Sequence, residues 1–302
     1  MPNCGIIDMG SNTIRLSIYQ YDETGFKLLL NKKEMAGLAG YVWDGILTAD
    51  GIQTAIRVLS NFRALLNNLG IEEFYVFATA ALRNVANTDE AVSKIEATTG
   101  IQVVVISGTE EAALSFQGAL FNANEDKCSG LLVDIGGGST ELVAYERKAI
   151  QTSVSIPIGS LSLYTQHVSG LFPTDEESKE IRRHVRRVLP SPDDGFSYSH
   201  LRGVGGTIRA VGKLCAPQLQ SQTLPAQQVR DLYHRLKKGD KDTLHQILRC
   251  TPDRVHTLLP GLIILNAILK TYQVETMDIS TQGVREGYLL GRVLEKKASQ
   301  FQ

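Results

Sequence analysis

The sequence predicts an α/β protein built twice over, two related lobes with a ligand cleft between them. Three observations carry that expectation. Each half opens on three consecutive strand-like segments and then alternates helices with strands. The two openings also share residues: Asp8-Met-Gly10-Ser11-Asn12-Thr13-Ile-Arg15-Leu16 can be laid on Asp134-Ile-Gly136-Gly137-Gly138-Ser139-Thr-Glu141-Leu142. The Asp, the first Gly, the hydroxyl residue and the Leu coincide at a constant offset. Finally, 302 residues is large for one core and comfortable for two domains. Internal repetition of this length implies two related lobes, not a solenoid. Such lobes meet at a cleft, where a ligand is expected.

In chain order, Cys4–Asp8, Thr13–Tyr21 and Lys27–Lys33 read as strands joined by Gly-containing turns. A helix follows over Ala49 to Asn68, because Ile52, Ile56, Leu59, Phe62 and Leu66 recur at three- and four-residue steps and Gly70 closes the run. Phe74–Ala78 and Val103–Ile106 are short buried strands, with helices at Thr88–Thr98 and Thr109–Phe121. The second cycle runs through strands Leu131–Asp134, Thr140–Tyr145 and Ile150–Ile156. Helices come next around Ser160–Val168 and Thr174–Val188, then a strand at Leu201–Val204. Further helices and a strand at Met277–Ile279 lead to a final helix from about Val284. The lobes are accordingly expected at 1–124 and 125–302, with a C-terminal helix over about 288–302 packing back on the first.

Composition narrows the function. Lys+Arg number 31 against 32 Asp+Glu, so net charge supports no broad nucleic-acid-binding face. Cys4, Cys128, Cys215 and Cys250 show no C-x-x-C spacing, which points to reduced thiols and a cytoplasmic protein. The N-terminus lacks a charged n-region and a long apolar h-region. The longest apolar stretch, Leu258 to Leu269, carries Pro260, Gly261 and Asn266 and reads as a buried helix, so no membrane association is expected.

The chemistry is expected in the loops. In Asp-x-Gly-Ser/Gly-Asn/Gly-Thr/Ser a strand ends on an acid, and a turn of small residues passes directly into the next strand. Small residues let several N–H groups converge on one point, a cradle for phosphate oxygens. The neighbouring carboxylate is then placed to hold a metal bridging to the phosphate. One such loop is usually only a turn; two, each opening a three-strand unit, favour function. A third cluster, Gly203-Val-Gly205-Gly206-Thr207, opens a helix, where an anion site and a plain strand–helix turn are equally good readings. It is not a Walker A loop, and no G-x-G-x-x-G follows a strand. In Ser107-Gly108-Thr109-Glu110-Glu111-Ala112, one acid complements the helix dipole. The other is placed to orient a water.

Asp8–Leu16, Ala78–Arg83, Ile106–Ala112, Asp134–Val143 and Gly283–Gly287 together resemble the exopolyphosphatase / guanosine pentaphosphate phosphohydrolase (Ppx/GppA) family in its short two-domain form. The resemblance implies the duplicated ribonuclease H-like fold of actin, sugar kinases and heat-shock ATPases. It implies hydrolysis of a phosphoanhydride, releasing the terminal phosphate of inorganic polyphosphate or guanosine pentaphosphate. It also implies magnesium, or manganese in its place, and a homodimer. Position by position, Glu111 matches the general base, and Asp134 and Glu141 match acids around the magnesium and phosphate. Asp8, Gly10, Ser11, Asn12 and Thr13 match the first phosphate loop, and Gly136, Gly137, Gly138 and Ser139 the second. Arg83 matches an arginine near the phosphates, and Arg285, in Val-Arg-Glu-Gly, is a weaker match. With Gly206 and Thr207 these make up the expected site. Two departures stand out. Many members carry Arg-Leu-Gly where this chain has Ala36-Gly37-Leu38-Ala39, and longer relatives append a helical region that extends the polyphosphate path.

The expected mechanism is in-line attack of a water activated by Glu111. The rivals are a kinase or ATPase of the same superfamily, for which no acceptor motif is present, and a non-catalytic polyphosphate or alarmone sensor. The six histidines show no metal-ligand spacing. The run Arg182-Arg183-His184-Val185-Arg186-Arg187 reads first as a solvated helix face, with a flank of a polyanion path as the alternative. Trp43 is read as a packing residue near a turn.

Overall fold

The computed structural model describes residues 1–22, 25–121, 129–192, 198–215 and 223–294. Cys128, the expected lobe boundary at 124/125 and residues 295–302 of the expected final helix lie outside these. The chain forms two compact units. The first takes residues 1–111 with the segment from Tyr288 onward, and the second runs from Ala112 to Gly287.

The first unit begins with three antiparallel strands, β1 (Asn3–Met9), β2 (Thr13–Asp22) and β3 (Gly25–Met35). A short hairpin, β4 (Val42–Trp43) with β5 (Ile46–Leu47), precedes helix α1 (Ala49–Asn68). Strand β6 (Phe74–Ala78), helices α2 (Ala80–Arg83) and α3 (Thr88–Thr99), and strand β7 (Val104–Val105) complete the set before helix α4 (Gly108–Leu120). The sheet order is β3-β2-β1-β6-β7, with β6 parallel to β1 and β7 parallel to β6. The apolar stripe of α1 predicted from its spacing is the buried one: Ile52, Ile56, Leu59, Phe62 and Leu66 all enter the core. Thr48 caps the helix, its hydroxyl accepting from the Gly51 N–H at 3.3 Å. Trp43 is 80% exposed, so it is not the packing residue expected.

The second unit repeats the plan. Strands β8 (Gly130–Ile135), β9 (Thr140–Glu146) and β10 (Ala149–Ile156) are antiparallel, followed by helices α5 (Ser160–His167) and α6 (Asp175–Val188). Then come β11 (His200–Val204), α7 (Gly205–Cys215), β12 (Thr223–Pro225), α8 (Ala226–Lys237), α9 (Lys241–Cys250), α10 (Leu258–Thr271), β13 (Thr276–Ile279) and α11 (Val284–Tyr288). The order is β10-β9-β8-β11-β13-β12, with β11 parallel to β8 and to β13. The first five strands thus reproduce the first sheet's order and directions, and β12 adds an antiparallel edge. This is a duplicated ribonuclease H-like α/β fold, the plan of the actin, sugar-kinase and heat-shock ATPase superfamily.

One face of the second sheet packs on α6, α7, α8 and α10. Helix α10 is buried almost all round, as its continuous apolar run requires. The other face carries Leu132, Val143, Tyr145 and Val204 against Ala112, Phe116, Ala119 and Leu120 of α4. Beyond α11 the chain continues as a π-helical turn over Leu289–Leu294. In the first unit the Tyr288 ring stacks on Phe77 at 4.8 Å. No helix among the described residues is long and apolar enough to cross a membrane.

Candidate active site

The first loop links β1 to β2. The Gly10 N–H donates to the Thr13 carbonyl at 3.0 Å, closing a tight turn. A methyl group on Gly10 would lie 3.1 Å from that same oxygen, so a side chain there would push the turn apart. Ser11 and Asn12 are buried, and the Asn12 side-chain amide nitrogen has no hydrogen-bond partner among the described residues. A buried donor left unpaired costs about 1–3 kcal/mol, which a bound anion would recover. The carbonyls of Ser11 and Asn12 accept from the Ala39 and Gly37 N–H groups at 3.0 and 2.9 Å. The Ala36–Ala39 segment therefore braces this loop through its backbone. Asp8 stands opposite Arg15 in the β1–β2 register.

Helix α4 sorts the Glu pair. The Glu110 carboxylate accepts from Arg292 near the surface, and its N–H is capped by the Ser107 hydroxyl at 3.1 Å. Glu111 is only 8% exposed and meets the Arg83 guanidinium at 2.6 Å. The same Arg83 nitrogen donates to the Ile106 carbonyl at 3.2 Å. Arg83, at the end of α2, is thus a brace for Glu111.

The second loop, between β8 and β9, repeats the first: Gly136 N–H donates to Ser139 O at 3.0 Å, and a methyl on Gly136 would again lie 3.1 Å from that oxygen. Its outward carbonyls are taken by the first turn of α5. Ser160 N–H reaches Gly136 O at 3.0 Å, while the Leu161 and Ser162 N–H groups reach Gly137 O at 2.9 Å. These are N–H groups that a helix start otherwise leaves unpaired. Gly159 permits the approach, since a Cβ there would sit 2.4 Å from the Gly137 backbone.

Asp134 and Glu141 are cross-strand partners on β8 and β9, so their side chains share one face. The Asp134 carboxylate accepts from the Ser115 hydroxyl at 2.6 Å. Burial raises its pKa, against the opposing pull of Ser115, Arg209 and Arg285. Glu141 is fully buried and accepts from the Ser155 hydroxyl at 2.8 Å. Over Asp134 lies the third loop. Gly205 has φ +93°, and a methyl there would lie 2.6 Å from the Asp134 Oδ1. Gly206 is covered by the Arg254 guanidinium, 1.8 Å from where a Cβ would be. Arg285 is buried, and burial first, then neighbouring Arg285 and Arg254, lowers the pKa of Arg209 against the opposing pull of Asp134 and Glu286. The Thr207 hydroxyl is buried against Gly261 of α10, with no hydrogen-bond partner among the described residues. Sequence reasoning missed Arg254, Arg209 and Gly159. Arg209 was reachable, one helical turn beyond Gly205; nothing local marks Arg254.

A cavity of about 560 Å³ sits at the opposite end of β8, among Leu131, Leu142, Tyr198, His200 and Tyr272, and shares no residue with these loops.

Residues 17–296 match the model of the Ppx/GppA phosphatase family. The chain belongs to the Ppx/GppA phosphatase family. A Haemophilus influenzae relative, provisionally named an exopolyphosphatase, is 27% identical over 290 residues, covering 94% of this chain and 89% of that protein. An exopolyphosphatase structure from Cytophaga hutchinsonii superposes with a TM-score of 0.84 at 23% identity, covering 95% and 96% of the two chains. An Aquifex aeolicus Ppx/GppA family structure gives 0.75 at 25% identity, with 98% of each chain covered. In this family member the expected residues fall into two sets. The first unit holds Asp8, Gly10 to Thr13, Arg83 and Glu111, and the second holds Asp134, Gly136 to Ser139, Glu141, Gly206, Thr207 and Arg285.

Proposed function

We propose that this chain hydrolyses the terminal phosphoanhydride of inorganic polyphosphate by in-line attack of water. The observation that carries the reading is the pair of loops, Gly10–Thr13 and Gly136–Ser139, closed by the same N–H to carbonyl bond and each preceded by an acid. Membership of a phosphatase family and likeness to proteins named exopolyphosphatases supply the substrate class.

Glu111, steered by Arg83, takes the proton of the attacking water. Loop N–H groups and the buried amide of Asn12 receive the phosphate oxygens. Asp134 and Glu141 would hold magnesium, which when bound offsets charge on the phosphate oxygens. The donor set fits that ion. Magnesium is commonly held by one or two carboxylates together with substrate phosphates and water. No cluster of three or more His, Cys, Asp or Glu able to cage a metal occurs among the described residues.

Guanosine pentaphosphate is the second reading. It is favoured by the Ala36–Ala39 segment, which meets the first loop through backbone N–H groups where many relatives carry an arginine. The test is magnesium-dependent phosphate release from short polyphosphate, long polyphosphate and guanosine pentaphosphate, with Glu111→Gln as control. Release from a polyphosphate, lost in the variant, is expected. Release from guanosine pentaphosphate alone would replace the substrate, and binding without release from any would make the chain a sensor.

A further inference from the structure

The second loop does not stand alone in its unit. Helix α5 leaves it at Ser160, whose N–H is bonded to Gly136, and ends at His167. Along that helix the Tyr164 ring meets His256 edge-on at 5.0 Å. At its end the His167 Nε2 lies 2.9 Å from the His184 Nδ1 of α6. On the loop side, two residues before His256, the Arg254 guanidinium covers Gly206. On the far side, Arg187 lies close enough to His184 to act on its charge, and Arg183 and Arg187 are both exposed, one helical turn apart. Arg254, His256, His167, His184, Arg187 and Arg183 therefore form one series that starts at the third loop, over Asp134, and ends in solvent.

Every member of the series is a guanidinium or an imidazole. Burial and neighbouring Arg187 and His167 hold His184 towards its neutral form, as burial and Arg254 do for His256. Acids stand beside the series as well: Glu176 acts on the charge of Arg183, and Asp253 on that of His256. Glu177 accepts from Ser169 and Thr174, Glu176 pairs with Lys179 at 2.6 Å, and Asp253 and Glu180 flank the series. The three guanidiniums supply the charge and the imidazoles between them supply ring N–H donors, a row that matches a linear anion with a charge on every repeat.

We propose that this ridge on α5 and α6 carries the distal phosphates of a polyphosphate chain whose end is held at the second loop. The inference rests on the polyphosphate reading and deepens it: the preferred substrate is a chain too long for the loops alone. It gives this short family member a path of its own along the second unit.

The test compares wild type with R183E/R187E on long-chain polyphosphate and on tripolyphosphate, together with direct binding of long-chain polyphosphate over a salt series. The variant is expected to weaken long-chain binding and raise its KM by about tenfold, a change of 1.4 kcal/mol. Its salt dependence should become shallower as well. Turnover of tripolyphosphate should be unchanged, which also shows the variant to be folded. Long-chain binding and KM equal to wild type would overturn the ridge while leaving the hydrolase reading intact. Equal losses on both substrates would overturn it too. If wild type releases no phosphate, the hydrolase reading falls, and the binding series alone decides the ridge.

Discussion

The Arg83 guanidinium lies 2.6 Å from the Glu111 carboxylate, and the same nitrogen is anchored to the carbonyl of Ile106. Both side chains are largely buried. Removing the arginine leaves a buried carboxylate without its brace, at a cost of about 3 kcal/mol. It also frees the carboxylate to drift, and a misplacement near 1 Å can cost about a hundredfold in rate. Arg83→Ala should therefore lower kcat with little change in KM. A raised KM at unchanged kcat would mean that Arg83 holds substrate instead.

Adjacent acids on α4 should behave differently. Glu111→Gln is expected to lose roughly a hundredfold to ten-thousandfold in kcat, the usual worth of a general base. Glu110, paired at the surface with Arg292, should tolerate Gln with turnover near wild type. Equal losses from the two variants would sink the assignment of the base.

The third loop admits no side chain over Asp134. At Gly205 the backbone is in the left-handed region, and the methyl of alanine would collide with the carboxylate. Gly205→Ala is expected to lower both Tm and phosphate release, the strain amounting to about 1–3 kcal/mol. A variant with wild-type Tm would show that the loop relaxes freely.

Acid should weaken the fold through the imidazole pair. His184 has its pKa below the usual 6.5, chiefly from burial, then from His167 and Arg187. The unfolded chain thus binds the extra proton first. This contribution to stability is complete above pH 6.5 and is lost as pH falls towards the lower folded value. Tm measured from pH 7.5 to 5 should decline less steeply in His184→Gln than in wild type. Parallel profiles would remove His184 as a source of the decline.

Much of this architecture was legible in the residues. The twin strand openings, the α1 stripe and the Asp-x-Gly turns are local patterns, set by period and by small side chains, and the sheets form where they predict. What stayed hidden depends on distant partners. Arg254 covers Gly206 because α10 and the turn before it pack beside α7, and no spacing within Thr251-Pro252-Asp253-Arg254 announces that. His167 and His184 carry no ligand spacing, yet adjacent helices bring their rings together. The cluster ending at Thr207 read equally well as an anion site and as a plain turn, and no local pattern announced that its hydroxyl lies against Gly261. The resemblance placed Arg83 near the phosphates, and no spacing in the sequence announced its pairing with Glu111.

The paired turns at Gly10 and Gly136 also bear on how such a protein responds to its surroundings. Peptide N–H groups do not ionise between the acidity of a vacuole and that of an alkaline cytosol, nor can they be acetylated, oxidised or phosphorylated. A grip made from them has no chemical dial. On the proposed function, adjustment of such a protein by its environment would have to act elsewhere, on the carboxylates, the imidazoles or the guanidiniums.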